Sequence, residues 1–212
     1  MIYGIVLAAG ASARMGRAKA ALPFGQPGET VLSRIVSTLL EGGVPNVAVV
    51  AGAHIDAVRQ AMPHHEHRAR VVEHPAWERG QLSSLIAGLD AIDAPLLEAV
   101  IVTPVDVPLV TPITVAAVIA GWRRTRAPIV RPADPLTSPE SGGQRHGHPV
   151  IFDRAVFADL RGADPTIGAK AVFAIHRDRI VNVEVKDAGA FEDIDTPADY
   201  ERLRSRVLRP GG

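Results

Sequence analysis

The 212-residue chain is 47% hydrophobic, enough for one sizeable core, so a single domain over 1–208 is expected, with 209–212 as a disordered tail. Its 23 basic residues balance 23 acidic ones, which leaves no global field to favour nucleic acid or an anionic membrane. The absence of cysteine excludes disulfides, thiolate metal sites and a cysteine nucleophile. No run approaches the ~18 apolar residues of a membrane span, and the opening apolar stretch lacks the length and preceding basic residues of a signal peptide, so a cytoplasmic protein is expected.

The first predicted strand is IYGIVLA (2–8), which opens into the small and basic residues of LAAGASARMGRAK (7–19). VLSRIVSTLL (31–40) then repeats apolar residues at helical spacing through Val31, Leu32, Ile35, Val36, Leu39 and Leu40. NVAVVAG (46–52) and ARVVEH (69–74) read as strands, and QLSSLIAGLDAI (81–92) as a helix on Leu82, Leu85, Ile86, Leu89 and Ile92. AVIVTPV (99–105) is the next strand; Thr111 and Pro112 then supply an N-cap and a first-turn proline for a helix running towards Trp122. After a strand APIVRP (127–132), the Pro-, Ser- and Gly-rich segment 133–147 interrupts the pattern before the strand-like HPVIF. Thr196 and Asp199 form a capping-box pattern for the last helix, whose inner face is Tyr200, Leu203 and Val207. Continuous apolar strands alternating with amphipathic helices imply an α/β fold, a three-layer doubly wound and mostly parallel sheet with a small β excursion.

In such a sheet, ligands bind beyond the carboxyl ends of the strands, and the loop after the first strand is the usual phosphate holder. Ala8, Ala9 and Gly10 lack bulk, so the backbone can approach a ligand, while Arg14 and Lys19 suit a triphosphate. The spacing is not that of a P-loop, and Ser12 stands where a dinucleotide fingerprint needs glycine. The plain alternative is a flexible surface loop. Asp106 ends the 99–105 strand on the same sheet edge, where a hard Mg²⁺ would find a carboxylate ligand; the alternative is an aspartate capping the turn at Pro108. HHEH (64–67) lacks ligand spacing on one helical face and reads as a solvated loop.

Leu7, Ala8, Ala9, Gly10, Ser12, Arg14, Met15, Gly16 and Lys19 match LAAGxSxRMGxxK, which resembles the first loop of the MobA-like nucleotidyltransferases, the group of the molybdopterin cytidylyl- and guanylyltransferases. The resemblance runs from Ile2 to about Leu203 and implies a Mg²⁺-dependent transfer of a nucleotidyl group from an NTP, with CTP favoured, to a phosphorylated small-molecule acceptor. It implies that Leu7, Ala8, Ala9, Gly10 and Ser12 hold the nucleotide, that Arg14 and Lys19 act on its phosphates, and that Asp106 binds metal, although DVP replaces the family's usual DQP. Asp195 of DIDTP falls where the second metal ligand stands, with Asp193 as a competitor and the Thr196 cap as another reason for its presence. Trp77, Gly80 and Ser84 match a WxxGxxxS nucleobase segment; Gly80 would allow close approach, while Ser83 or Ser84 could serve only as a helix cap. His148 lies in a GHPV-type stretch on the acceptor side, or simply packs at a strand start. ADPTIGAK (163–170) keeps Gly168 and Ala169 of the GDxGAR segment of relatives that transfer CMP to molybdopterin, with Lys170 last and the preceding residues altered. The rivals are a sugar- or polyol-phosphate nucleotidylyltransferase and a non-catalytic nucleotide sensor, with an NAD-linked oxidoreductase more distant. No nucleic-acid or membrane partner is expected, and the oligomeric state is left open.

Overall fold

Ile5 and Val6, consecutive residues of the first strand, are both fully buried but belong to two different apolar clusters. Side chains alternate faces along a strand, so this sheet is covered on both sides. The computed structural model describes residues 1–62, 67–137 and 143–208. Their seven strands are β1 (Ile2–Ala8), β2 (Val47–Ala51), β3 (Ala69–Glu73), β4 (Ala99–Pro104), β5 (Ile129–Ala133), β6 (Val150–Asp153) and β7 (Ile180–Glu184). The helices are α1 (Val31–Glu41), α2 (Ile55–Ala61), α3 (Gln81–Ile92), α4 (Pro112–Thr125), α5 (Phe157–Gly162), α6 (Lys170–Ile175) and α7 (Pro197–Leu208).

One sheet runs β3-β2-β1-β4-β6-β5-β7, flanked by α1, α4 and α7 on one face and by α3, α5 and α6 on the other. Leu39, Trp122 and Leu203 pack in the first layer, Leu89, Leu160 and Val172 in the second. The expected three-layer α/β architecture is therefore present. Helix entry follows the sequence signals: Thr111 Oγ1 accepts from the Thr114 amide, and Thr196 and Asp199 exchange side chain-to-amide bonds of 3.0 and 3.2 Å. Thr30 and Ser33 do the same for α1, at 2.8 and 3.0 Å.

The sheet is mostly parallel, and its one reversal has a local cause. After β5 the chain leaves the sheet and returns through an antiparallel bridge between Ala133 and His146, so β6 enters backwards between β4 and β5, antiparallel to both. The edge strand β7 and the short helices α2, α5 and α6 are additional to the elements expected from periodicity. α2 has 7 residues and α5 and α6 have 6 each, too few for a full amphipathic period to repeat. Of the histidine-rich segment, residues 64–66 lie outside the described residues, as do 138–142 of the excursion and the 209–212 tail.

Leu39 and Leu89 are both fully buried on opposite faces of the sheet. Leu39→Ala and Leu89→Ala should each lower unfolding free energy by about 2–5 kcal/mol in urea titrations. Because the two share no partners across the sheet, the double variant should lose the sum to within about 0.5 kcal/mol.

Candidate active site

β1 and β4 lie side by side and parallel, with Leu7 opposite Pro104, so the loops that leave them open on the same edge. The Val105 amide donates to the Leu7 carbonyl at 3.0 Å and carries this register one step beyond the strand, setting Asp106 beside the first loop. Asp195 arrives from the far end of the chain. The Ile194 amide donates to the Asp106 carbonyl at 2.8 Å, and α7 is capped by Thr196 and Asp199, so the Asp195 carboxylate is not used as a cap.

Within the loop, Ser12 has φ 50° and Gly16 φ 66°, both in the left-handed region. The tight turn holds because the Met15 amide donates to the Ser12 carbonyl at 2.8 Å and the Lys19 amide to Ser12 Oγ at 3.3 Å. It brings the Lys19 ammonium to 3.4 Å from Asp106 Oδ2 and 3.4 Å from Asp195 Oδ1, with its side chain only 11% exposed. Arg14 grips Asp195 with both terminal nitrogens at 3.1 Å. Burial lifts the Asp106 carboxyl above the usual carboxylate range despite the Lys19 charge and hydrogen bond, and nearby Asp193 pushes the same way. The four charged residues singled out from sequence thus meet at one point.

A cleft of about 390 Å³ opens onto them. Leu7, Ala9, Gly10, Ser12 and Lys19 line it from the first loop, Trp77, Gly80 and Ser84 from the 77–84 segment, and Asp106 from the end of β4. Ala8 is placed elsewhere: it closes β1 and packs in the core. Gly80 has φ 94°, a conformation costly for any side chain, and it turns the chain directly into α3. Ser83 Oγ donates to the Gly80 carbonyl at 2.7 Å and therefore accepts from His74 Nε2 at 2.9 Å, so Ser83 fastens the turn while Ser84 faces the cleft. Burial, with Arg79 nearby, lowers the His74 pKa.

His148 lines a second, mainly apolar cavity of about 380 Å³ with Leu82, Leu85, Phe152, Phe173 and the 165–170 segment that ends in Lys170. Phe152 and Phe173 meet edge to face with centroids 5.7 Å apart. Burial drives the His148 pKa down to about 4, against the opposing pull of Asp193 and the Val102 carbonyl, and its Nδ1 has no hydrogen-bond partner among the described residues. Leu7 and Gln81 line both cavities. Gln81 escaped sequence reasoning, since only its place beside Gly80 hints at it.

A loop of small and basic residues facing two carboxylates across the carboxyl edge of a doubly wound sheet defines a nucleotide-handling transferase. Residues 4–181 match the MobA-like NTP transferase domain, and the chain belongs to that family of nucleotidyltransferases. It is 31% identical over 204 residues to the "Nicotine blue oxidoreductase" of Paenarthrobacter nicotinovorans, covering 95% of this chain and 96% of that protein. It is 32% identical over 133 residues to a "Probable molybdenum cofactor guanylyltransferase" of Mycolicibacterium paratuberculosis, covering 63% and 64% of the two chains. The structure of Rv0371C from Mycobacterium tuberculosis in complex with manganese superposes with a TM-score of 0.72 at 28% identity, over 96% of this chain and 98% of that one.

His148 gives a pH-dependent stability whose sign is fixed by its lowered pKa. Between the ordinary histidine value of 6.5 and about 4 the unfolded chain takes up a proton that the folded one refuses, so stability falls as pH falls through that window. The slope contributed is at most about 1.4 kcal/mol per pH unit. Thermal or urea unfolding from pH 7 to 4 should show His148→Gln losing less stability on acidification than wild type.

Proposed function

We propose that the protein transfers a nucleotidyl group, with CTP as the favoured donor, to a phosphorylated small-molecule acceptor. The observation that carries this is the Lys19 ammonium, 3.4 Å from each of two carboxylates and lining the nucleotide-sized cleft. A phosphate oxygen of the acceptor attacks the α-phosphorus of the NTP; the new P–O bond forms as the bond to the β-phosphate oxygen breaks, and pyrophosphate leaves with the electron pair. The attacking oxygen belongs to the substrate, so the protein need supply no nucleophile. Its work is positioning and charge neutralisation. Lys19 and Arg14 would hold the phosphates, Lys19 stabilising the charge that builds during transfer. Leu7, Ala9, Gly10, Gly80 and Ser84 would take the nucleoside.

The site also suits Mg²⁺. Asp106 and Asp195 already bracket one cation, the Lys19 ammonium, and offer the hard oxygens that this metal prefers. No cluster of three or more His, Asp or Glu side chains converges on a metal among the described residues, so phosphate oxygens and water would complete the shell. When bound, the ion would screen the triphosphate and polarise its phosphorus.

The second cavity is read as the acceptor site, with Lys170 for an anionic group and Phe152 and Phe173 for an apolar body. A molybdenum-cofactor-type acceptor fits that description, although 163–170 keeps only the end of the GDxGAR segment; a sugar or polyol phosphate fits Lys170 but makes little use of the aromatic lining. The 77–84 segment resembles that of the cytidylyl-type relatives more than the guanylyl-type ones, which supports CTP. A redox reading is favoured only by the name of the 31% identical relative. In this chain Ser12 interrupts the glycine spacing of a dinucleotide loop.

A panel of CTP, GTP and ATP against pterin, sugar and polyol phosphates, read by pyrophosphate release with Mg²⁺, tests the proposal. Lys19→Ala should lower turnover by about 10²–10³-fold without changing the fold, and EDTA should abolish it. Near-normal pyrophosphate release by Lys19→Ala would remove the role given to Lys19. Dye reduction by NADPH without pyrophosphate release would replace transfer by redox chemistry.

A further inference from the structure

The first loop is held from behind by the connection between β2 and α2. The Ala53 amide donates to the Ala9 carbonyl at 3.0 Å, and His54 Nε2 lies 2.8 Å from the Ala11 carbonyl. A carbonyl only accepts, so Nε2 carries the hydrogen and the imidazole is the donor. His54 stands at the N-cap of α2, yet its side chain makes no cap bond. Its polar atom is spent on the loop instead.

In a trans peptide the C=O and the following N–H point in opposite directions. Fixing the Ala9 and Ala11 carbonyls towards Ala53 and His54 therefore turns the amides of Gly10 and Ser12 the other way. Gly10 and Ser12 line the nucleotide cleft, and neither amide donates to protein among the described residues. The Ala11–Ser12 peptide also leads into Ser12 at φ 50°, a conformation that costs a non-glycine residue energy and persists only where its surroundings impose it. The same connection meets the opposite side of the cleft: a Cβ on Gly52 would fall 2.5 Å from the Trp77 Cβ, so Trp77 seats directly against that glycine.

We infer that His54 is a positioning residue for nucleotide binding, setting the Ala11–Ser12 peptide so that the loop presents its amides to an anionic phosphate. His54 touches no substrate itself and acts through the Ala11 carbonyl. The inference rests on the nucleotide reading given above.

The test is isothermal titration of the full chain with CTP, and with GTP in parallel, in the presence of Mg²⁺. His54→Ala should weaken binding about five- to tenfold, the loss expected for one hydrogen bond. His54→Gln, whose Nε2 amide donates from nearly the same position, should restore it. His54 is partly exposed, so both variants should keep the wild-type melting temperature to within about 2 °C. Lys19→Met serves as the reference for loss of a phosphate-holding group. Wild-type affinity in His54→Ala, or an equal loss in His54→Ala and His54→Gln, overturns the inference while the weakened Lys19→Met variant keeps the nucleotide reading. If wild type binds none of CTP, GTP, ATP or UTP, that reading fails and takes the inference with it. Should His54→Ala lose its fold, the titration of His54→Gln decides: tight binding upholds the donor role and weak binding ends it.

Discussion

Two carboxylates at one point repel each other, and the rest of the site follows from how this chain tolerates them. Asp106 and Asp195 lie 87 and 176 residues from Lys19 in sequence, and both contact its ammonium. Burial lifts the Asp106 pKa, so the fold disfavours its charged form and any charge there comes at a cost. The Arg14 pair with Asp195 cannot offset that cost, because the guanidinium side chain is 68% exposed and such pairs contribute about 0–1 kcal/mol. In the function proposed above, a metal ion and the donor's phosphates would join this charge cluster.

The sheet is what makes the meeting of distant residues cheap. β1 and β4 are parallel neighbours, so both strands end on the same edge without any loop having to cross the sheet. α7 packs Tyr200 and Leu203 into the first helical layer, and the Tyr200 hydroxyl donates to the Pro23 carbonyl at 2.6 Å, tying the C-terminal helix to the segment just after Lys19. Asp195 is therefore anchored on both sides, by Ile194 to Asp106 and by α7 to the first loop's exit. Stability in the core becomes precision at the edge.

The sequence revealed the parts governed by local rules. α3 runs over 81–92 as its periodicity requires, and the strands β1 to β4 fall within a residue or two of their apolar runs. Lys19, Asp106 and Asp195 were legible because each ends a recognisable stretch and the resemblance gives all three a role. β7 was not, since its five residues IVNVE are half exposed on an edge and lack a continuous apolar run. The reversed direction of β6 depends on where the excursion re-enters, which no periodicity encodes. His54 was equally hidden: its partner Ala11 lies 43 positions earlier, and the bond uses only a backbone carbonyl, which leaves no trace in side-chain identity. Ala8, matched by motif, turns its small side chain into the packing beneath the cleft.

The two cavities divide the chemistry between different kinds of recognition. The first combines charged groups, which suit phosphates of any nucleotide, with the Leu7, Ala9, Gly80 and Ser84 lining proposed above for the nucleoside. The second is apolar around the Phe152–Phe173 pair, with a neutral imidazole and Lys170 among its lining residues, and there a wrong partner would leave buried groups unpaired. Leu7 and Gln81 are common to both, so the proposed donor and acceptor would meet across the start of α3. Gly80, directly before that helix start, permits both the turn and the approach. In the proposed reaction, specificity for the acceptor would reside in the second cavity and the 165–170 segment, where the residues before Gly168 depart from the family motif. The first loop, which carries the LAAGxSxRMGxxK match, would fix only the class of reaction.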